Sequence, residues 1–177
     1  MAVLNILTAP HPALERRARD VEEDEFGPQL ARLVSDMAET MYAAPGVGLA
    51  APQVGDARRI MVVDPGEKEN RGRRFFGMIN PIIQERSQDT IPWGETCLSV
   101  PDFEVEIQRS RRVRVTWRDP NGAPMDGWFE DYESVIVQHE LDHLEGTILL
   151  DRASLFKRSR YLKKVKSKAR DRVPVGG

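Results

Sequence analysis

Apolar residues recur along this chain with two different periods. Leu30, Leu33, Val34, Met37 and Met41 return every three or four positions, the spacing of one face of an α-helix. That stripe predicts an amphipathic helix over residues 26–43, ended by Pro45-Gly46. The small, apolar run from Gly46 to Gly55 then reads as an extended segment. Ile60-Met61-Val62-Val63 reads as a buried strand. Further strands are predicted at 78–83 and across 105–117, where Val113, Val115 and Trp117 alternate. Asp119-Pro120-Asn121-Gly122 forms a turn into a hairpin partner around Gly127-Trp128-Phe129. A second helix is expected from Asp131 to a glycine cap at Gly146, followed by a short strand at Ile148-Leu149-Leu150. A last helix over about 154–172 places Leu155, Leu162, Val165 and Ala169 on one stripe and frays at Val173-Pro174. Residues 1–7 read as an entering strand or extended segment, and the charged stretch 66–74 as a mobile surface loop. The predicted class is α+β, with antiparallel strands packed around a central helix and with N-terminal and C-terminal helices.

Length and charge narrow the picture. A chain of 177 residues suits one domain, 1–177. No apolar run approaches the roughly 20 residues that a membrane helix requires. The start of the chain lacks the basic and apolar regions of a signal peptide, so a cytoplasmic location is expected. A single cysteine rules out a disulfide within the chain. The net charge of −2 hides an asymmetry. From Asp151 onward ten Lys or Arg face two Asp, so the body before it is strongly acidic and the tail strongly basic. Such a tail is either a solvated helix or a surface for RNA phosphates, which would allow ribosome association.

Chemistry concentrates in Gln138-His139-Glu140-Leu141-Asp142-His143, which holds two of the three histidines. Residues four apart share a helix face, so His139 and His143 can offer imidazoles to one metal. Glu140 lies beside the first of them, where a carboxylate can receive a proton from the attacking water. The longer protease pattern H-E-x-x-H-x-x-G-x-x-H continues to Gly146 but meets Leu149 where its last histidine should be. Glu145 follows His143 too closely to replace it. The remaining soft ligand is Cys97, in Gly94-Glu95-Thr96-Cys97-Leu98-Ser99. Cys97 is either a third ligand, leaving an open coordination position, or a small buried hydrophobe.

Three segments in order, G-x-G-L-A-A-x-Q from Gly46 to Gln53, E-x-C-L-S from Glu95 to Ser99, and Q-H-E-x-D-H from Gln138 to His143, resemble the motifs of the peptide deformylases. The likeness runs from Ile6-Leu7 to the terminal helix. It implies a bacterial-type hydrolase that removes formyl from the N-terminal formyl-methionine of nascent polypeptides, without a nucleotide cofactor. By resemblance, Cys97, His139 and His143 hold a divalent metal on the central helix, Fe²⁺ by family habit, with Zn²⁺, Ni²⁺ or Co²⁺ as substitutes. Glu140 is then the catalytic base, and the Gln53 amide and Leu98 backbone N–H stabilise the oxyanion. Gly46, Val47 and Gly48 would pair with the extended substrate. Tyr132, Val135 and Ile136, at i, i+3 and i+4 with His139 at i+7, would receive its methionine side chain. Glu95 and Arg109 would form a buried ion pair. The family's usual glycine between the glutamate and cysteine is Thr96 here, which puts the fine shape of the site in question. Two alternatives remain: an H-E-x-x-H metalloprotease, and a non-catalytic ribosome-associated protein on the same fold. Retention of Glu140 argues against the second.

Overall fold

The computed structural model describes residues 2–66 and 68–171. The expected fraying at Val173-Pro174 lies outside them. Helix α1 is Pro28–Ala43, with Pro28 in the first turn where its missing N–H costs no hydrogen bond. Strands β1 (Gly48–Ala50), β2 (Ile60–Val63), β3 (Phe76–Arg86), β6 (Arg112–Arg118) and β7 (Pro124–Glu130) form a five-stranded antiparallel sheet in the order β1-β2-β3-β6-β7. Strands β4 (Thr90–Cys97) and β5 (Val100–Ser110) form a separate antiparallel pair. Helix α2 is Asp131–Leu144 and helix α3 is Leu155–Asp171.

The apolar run Ile60-Met61-Val62-Val63 is buried on both sides because the sheet lies between helices. Alternation along the strand sends Ile60 and Val62 to the cluster containing Leu30, Val34, Met37 and Met41 of α1. Met61 and Val63 join Ile136, Val137, Leu141 and Leu144 of α2. Helix α2 contacts β1, β2, β5, β6 and β7, which leaves it buried around most of its circumference. It is therefore the central helix of an α+β architecture. Its polar residues are fastened rather than solvated. Gln138 Nε2 donates to the Ser110 carbonyl at 2.8 Å, and Ser134 Oγ donates to the same oxygen at 2.8 Å. At its end Gly146 adopts φ 75°, and a Cβ there would lie 2.8 Å from the Glu15 carbonyl oxygen. Glycine is required on both counts.

Several expectations change in detail. Ile148-Leu149-Leu150 is not a strand: Leu149–Arg152 forms a 3₁₀ turn, with Asp151 Oδ2 accepting from the Ile148 N–H at 2.9 Å. That side-chain cap offers the backbone a local partner in place of a neighbouring strand. The stretch 105–117 divides between β5 and β6, which belong to different sheets. Within the run from Gly46 only Gly48–Ala50 is strand, and Ala51–Val54 turns as a 3₁₀ helix. The charged segment 66–74 contains a short 3₁₀ turn at Lys68–Asn70 and is tethered at its base. There the Asp64 carboxylate accepts from Tyr42 Oη and from the N–H groups of Gly66 and Gly72 at 2.6–2.9 Å. On α3 the anchor is Tyr161, whose hydroxyl donates to the Pro101 carbonyl at 2.9 Å. Leu162 and Val165 pack partly beside it, whereas Leu155 is 84% exposed and Ala169 is also exposed. The helix docks through its middle, so its first turn projects beyond the core.

Candidate metal centre and cleft

The fold brings Cys97 from the end of β4 against His139 and His143 on consecutive turns of α2. Their ligand atoms all lie within 4.8 Å of one another, and Cys97 Sγ stands 3.3 Å from His143 Nε2. Two donors bound about 2.0–2.3 Å from one ion stand roughly 3–4 Å apart, so this donor set fits a single divalent metal. Burial holds the His143 pKa well below its ordinary value, which favours the neutral, ligating imidazole.

A carboxylate fixes the other histidine. His139 Nδ1 is 2.8 Å from Glu95 Oε2, and Glu95 also accepts from Arg109 Nε at 2.6 Å and Nη2 at 2.9 Å. Burial alone would raise the Glu95 pKa, but hydrogen bonds from Arg109 and His139 outweigh it and hold the group below its usual range. An ionised carboxylate only accepts, so Nδ1 carries a proton. Against burial, Cys97 and Glu95 raise the His139 pKa well above its ordinary value, so ligation of a metal through Nε2 requires release of the second ring proton. The expected Glu95–Arg109 pair is thus present and extends further. Arg109 Nη1 donates to Asp142 Oδ2 at 2.8 Å, and Arg152 holds both oxygens of Asp142. Glu145, set aside as a ligand, is engaged by Arg17 and Arg59.

Glu140 is the least satisfied member. Its carboxyl is buried, and its Oε2 has no hydrogen-bond partner among the described residues. Burial pushes its pKa up to about 7, with the charge of His139 opposing. The backbone of β1 presses directly on it. A Cβ at Gly48 would overlap Glu140 Oε1 and stand 2.7 Å from Cδ. Gln53 is oriented by the same strand. Its Oε1 accepts from the Ala50 N–H at 2.8 Å, which leaves Nε2 to face Ser99 Oγ at 3.1 Å and Cys97 Sγ at 3.8 Å.

These groups open into a cleft of about 470 Å³ whose walls include Gly46, Val47, Gly48, Gln53, Cys97, Leu98, Tyr132, Val135, Ile136, His139 and Glu140. His143 lies beneath, 1% exposed. The candidate catalytic, metal-binding and substrate-binding residues of the sequence therefore gather around one cleft. The cleft also has a wall that periodicity did not predict: Trp93, stacked on Tyr132 with ring centroids 5.1 Å apart and planes 30° from parallel. Trp93, Glu95 and Cys97 alternate along β4, so the signal was present once that segment is read as a strand. Thr96 has an exposed side chain at the cleft and is not among the residues with positive φ. Its backbone therefore does not need glycine.

The contact between Gly48 and Glu140 has a measurable consequence. Gly48→Ala should destabilise the protein by about 1–3 kcal/mol through overpacking. Urea unfolding of Gly48→Ala combined with Glu140→Ala should recover most of that loss. An equal loss in the double variant would locate the strain somewhere other than this contact.

Comparison with known proteins agrees with the geometry. Residues 3–159 match the family model described as polypeptide deformylase. The chain is 43% identical over 166 residues to a peptide deformylase of Desulfotalea psychrophila, covering 94% of this chain and 96% of the relative. It is 44% identical to that of Hyphomonas neptunium, covering 94% and 93%. Among solved structures, a peptide deformylase from Legionella pneumophila superposes with a TM-score of 0.87 at 32% identity, covering 99% of this chain and 100% of the other. One from Ehrlichia chaffeensis in complex with actinonin gives 0.86 at 38% identity, covering 95% and 98%. The chain belongs to the peptide deformylase family, metal-dependent hydrolases that act on formylated nascent peptides.

Proposed function

We propose that Cys97, His139 and His143 hold the divalent ion, that Glu140 moves the proton in deformylation, and that residues 1–177 form one catalytic domain. The observation that carries this reading is the buried, uncommitted Glu140 carboxyl beside the Cys97, His139 and His143 cluster at the floor of a cleft. When bound, the ion supplies Lewis acidity that polarises the formyl carbonyl and acidifies the attacking water. Glu140 accepts the proton of that water and returns it to the departing amine. Burial raises the Glu140 pKa above the ordinary carboxylate range and the ion's charge opposes that, so the carboxyl can both take and return a proton. Gln53 Nε2, oriented by the bond from Ala50 N–H to its oxygen, donates to the developing oxyanion together with the Leu98 backbone N–H. The substrate backbone pairs along Gly46, Val47 and Gly48 as an added strand. Tyr132, Val135 and Ile136 receive the unbranched methionine side chain, with Trp93 closing the far wall. Replacing Glu140 by Gln should preserve metal content while lowering turnover of a formyl-methionyl peptide by at least about 100-fold. Near-normal turnover in the metal-loaded variant would remove Glu140 from the mechanism.

Iron in the ferrous state is the proposed physiological ion, on family resemblance. Thiolate and imidazole ligands also accept Zn²⁺, Ni²⁺ or Co²⁺. The activity of the iron form should decay in air faster than that of the nickel form; equal lifetimes would count against a ferrous centre.

Among the described residues no helix is long and apolar enough to cross a membrane. The proposed workplace is the cytoplasm, at the ribosome, with α3 as the contact. Lys163, Lys164, Lys166 and Lys168 are exposed on that helix; Lys164 and Lys168 lie on the Tyr161 side, where Lys168 stands 4.0 Å from Asp102, and Lys163 and Lys166 lie on other faces. Reversing the four lysines to Glu should spare activity on short formyl peptides and weaken ribosome association in a salt-dependent way. Unchanged sedimentation with ribosomes across a salt titration would assign these lysines to solvated surface alone.

A further inference from the structure

Helix α2 presents two stripes of side chains to two different cavities. Tyr132, Val135, Ile136 and His139 face the substrate cleft, at i, i+3, i+4 and i+7. Gln138, Leu141, Asp142 and Glu145 repeat the same spacing on another side of the helix and line a cavity of about 530 Å³. Four guanidinium groups border this second cavity: Arg59, Arg86, Arg109 and Arg152.

The carboxylates there do not balance them. Arg59 is committed to Glu145 at 2.6 Å, to Asp20 at 3.5 Å and to the Pro81 carbonyl at 3.1 Å, and Glu145 is itself shared with Arg17. Arg109 and Arg152 share one carboxylate, Asp142, and Glu95 is already divided between Arg109 and His139. Arg86 has no ion pair among the described residues. Its one hydrogen bond, at 2.9 Å, goes to the neutral side-chain oxygen of Gln138. Partial burial depresses the Arg86 pKa, and the charges of Arg109 and Arg152 depress it further, with Asp142 alone acting against them. A local excess of positive charge therefore lies inside a concave, partly desolvated space. Gln108, on the same wall, accepts from Thr90 Oγ1 through its side-chain oxygen and keeps its amide N–H donors available.

We infer that this cavity is a binding site for a small phosphate-class oxyanion, held by Arg86 and Arg152 with the Gln108 amide as a neutral donor. Planar guanidinium forks match the oxygens of such an anion pairwise, and hydrogen bonds between two charged groups are the strong ones. The anion supplies the charge that Arg86 lacks. Arg109 lines this cavity and also holds Glu95, so the site adjoins the frame of the metal centre while sharing no lining residue with the substrate cleft.

Isothermal titration of the metal-loaded enzyme with inorganic phosphate, at fixed ionic strength, tests the assignment. Saturable one-to-one binding is expected, weakened at least about tenfold in Arg86→Gln through loss of a charge-assisted contact. Arg86→Lys, which keeps the charge and loses the fork, should fall between the two. Arg114→Gln, a change at an exposed arginine paired with Glu85 and Asp126, should bind as the parent does. A parallel titration with a nucleoside 5′-monophosphate separates the two sources of phosphate. Tighter binding of the nucleotide would assign the site to a phosphorylated small molecule, and equal or weaker binding to free phosphate. Absence of saturable heat overturns the inference. So does equal phosphate affinity in Arg86→Gln, which would place the anion at the metal centre instead.

Discussion

The Glu95 carboxylate joins the parts of this protein that must not move relative to one another. It stands on β4, receives two hydrogen bonds from Arg109 on β5 and a third contact from His139 on α2. One buried anion thereby locks the small sheet to the central helix and orients the ring of a proposed metal ligand. The charges are buried as a set. Removing either Glu95 or Arg109 would strand an unpaired charge in the interior, a change that typically costs about 3–5 kcal/mol. The same frame continues through Asp142 to Arg152, so α2 is held from two sides at the level of its histidines. Outer contacts of this kind orient metal ligands as decisively as the ligands orient the metal.

Around that frame the structure leaves two buried groups unsatisfied, and both belong to residues of the proposed centre. Glu140 Oε2 and His143 Nδ1 are the buried side-chain polar atoms without partners among the described residues. A carboxyl held in this way is destabilised as an anion, which brings its pKa toward neutrality. Gly48 makes the arrangement possible by removing the side chain that would occupy the same space. Satisfied polar groups thus brace the cleft, and the unsatisfied carboxyl is the one proposed to move the proton.

Much of this was legible in the residues because helical geometry is local. His139 and His143 must share a face once Asp131–Leu144 is a helix, and Tyr132, Val135 and Ile136 must lie along it. Cys97 was a candidate as the one remaining soft ligand, but only resemblance decided for it, since no periodicity brings a residue of β4 to a helix more than 40 positions later. Strand β4 itself was obscured by Pro92 and Gly94, both poor strand formers, although Trp93, Glu95 and Cys97 alternate within it. That omission hid Trp93 as part of the cleft. Ile148-Leu149-Leu150 carried no period that separates a strand from a buried turn, and the deciding contact came from Asp151. Leu155 followed the helical stripe but projects past the core, because tertiary docking chose Tyr161. Strand propensity likewise could not say that β5 and β6, adjacent in the chain, pair into different sheets.

One sulfur and two imidazoles are proposed to hold the ion. Metal K-edge X-ray absorption on the loaded enzyme tests this most directly. The account predicts one sulfur scatterer at about 2.3 Å and two nitrogen scatterers of imidazole type at about 2.0–2.1 Å for a zinc-loaded sample. The sulfur should disappear when Cys97 is replaced by Ser. A first shell of nitrogen and oxygen alone in the unaltered protein would contradict the account.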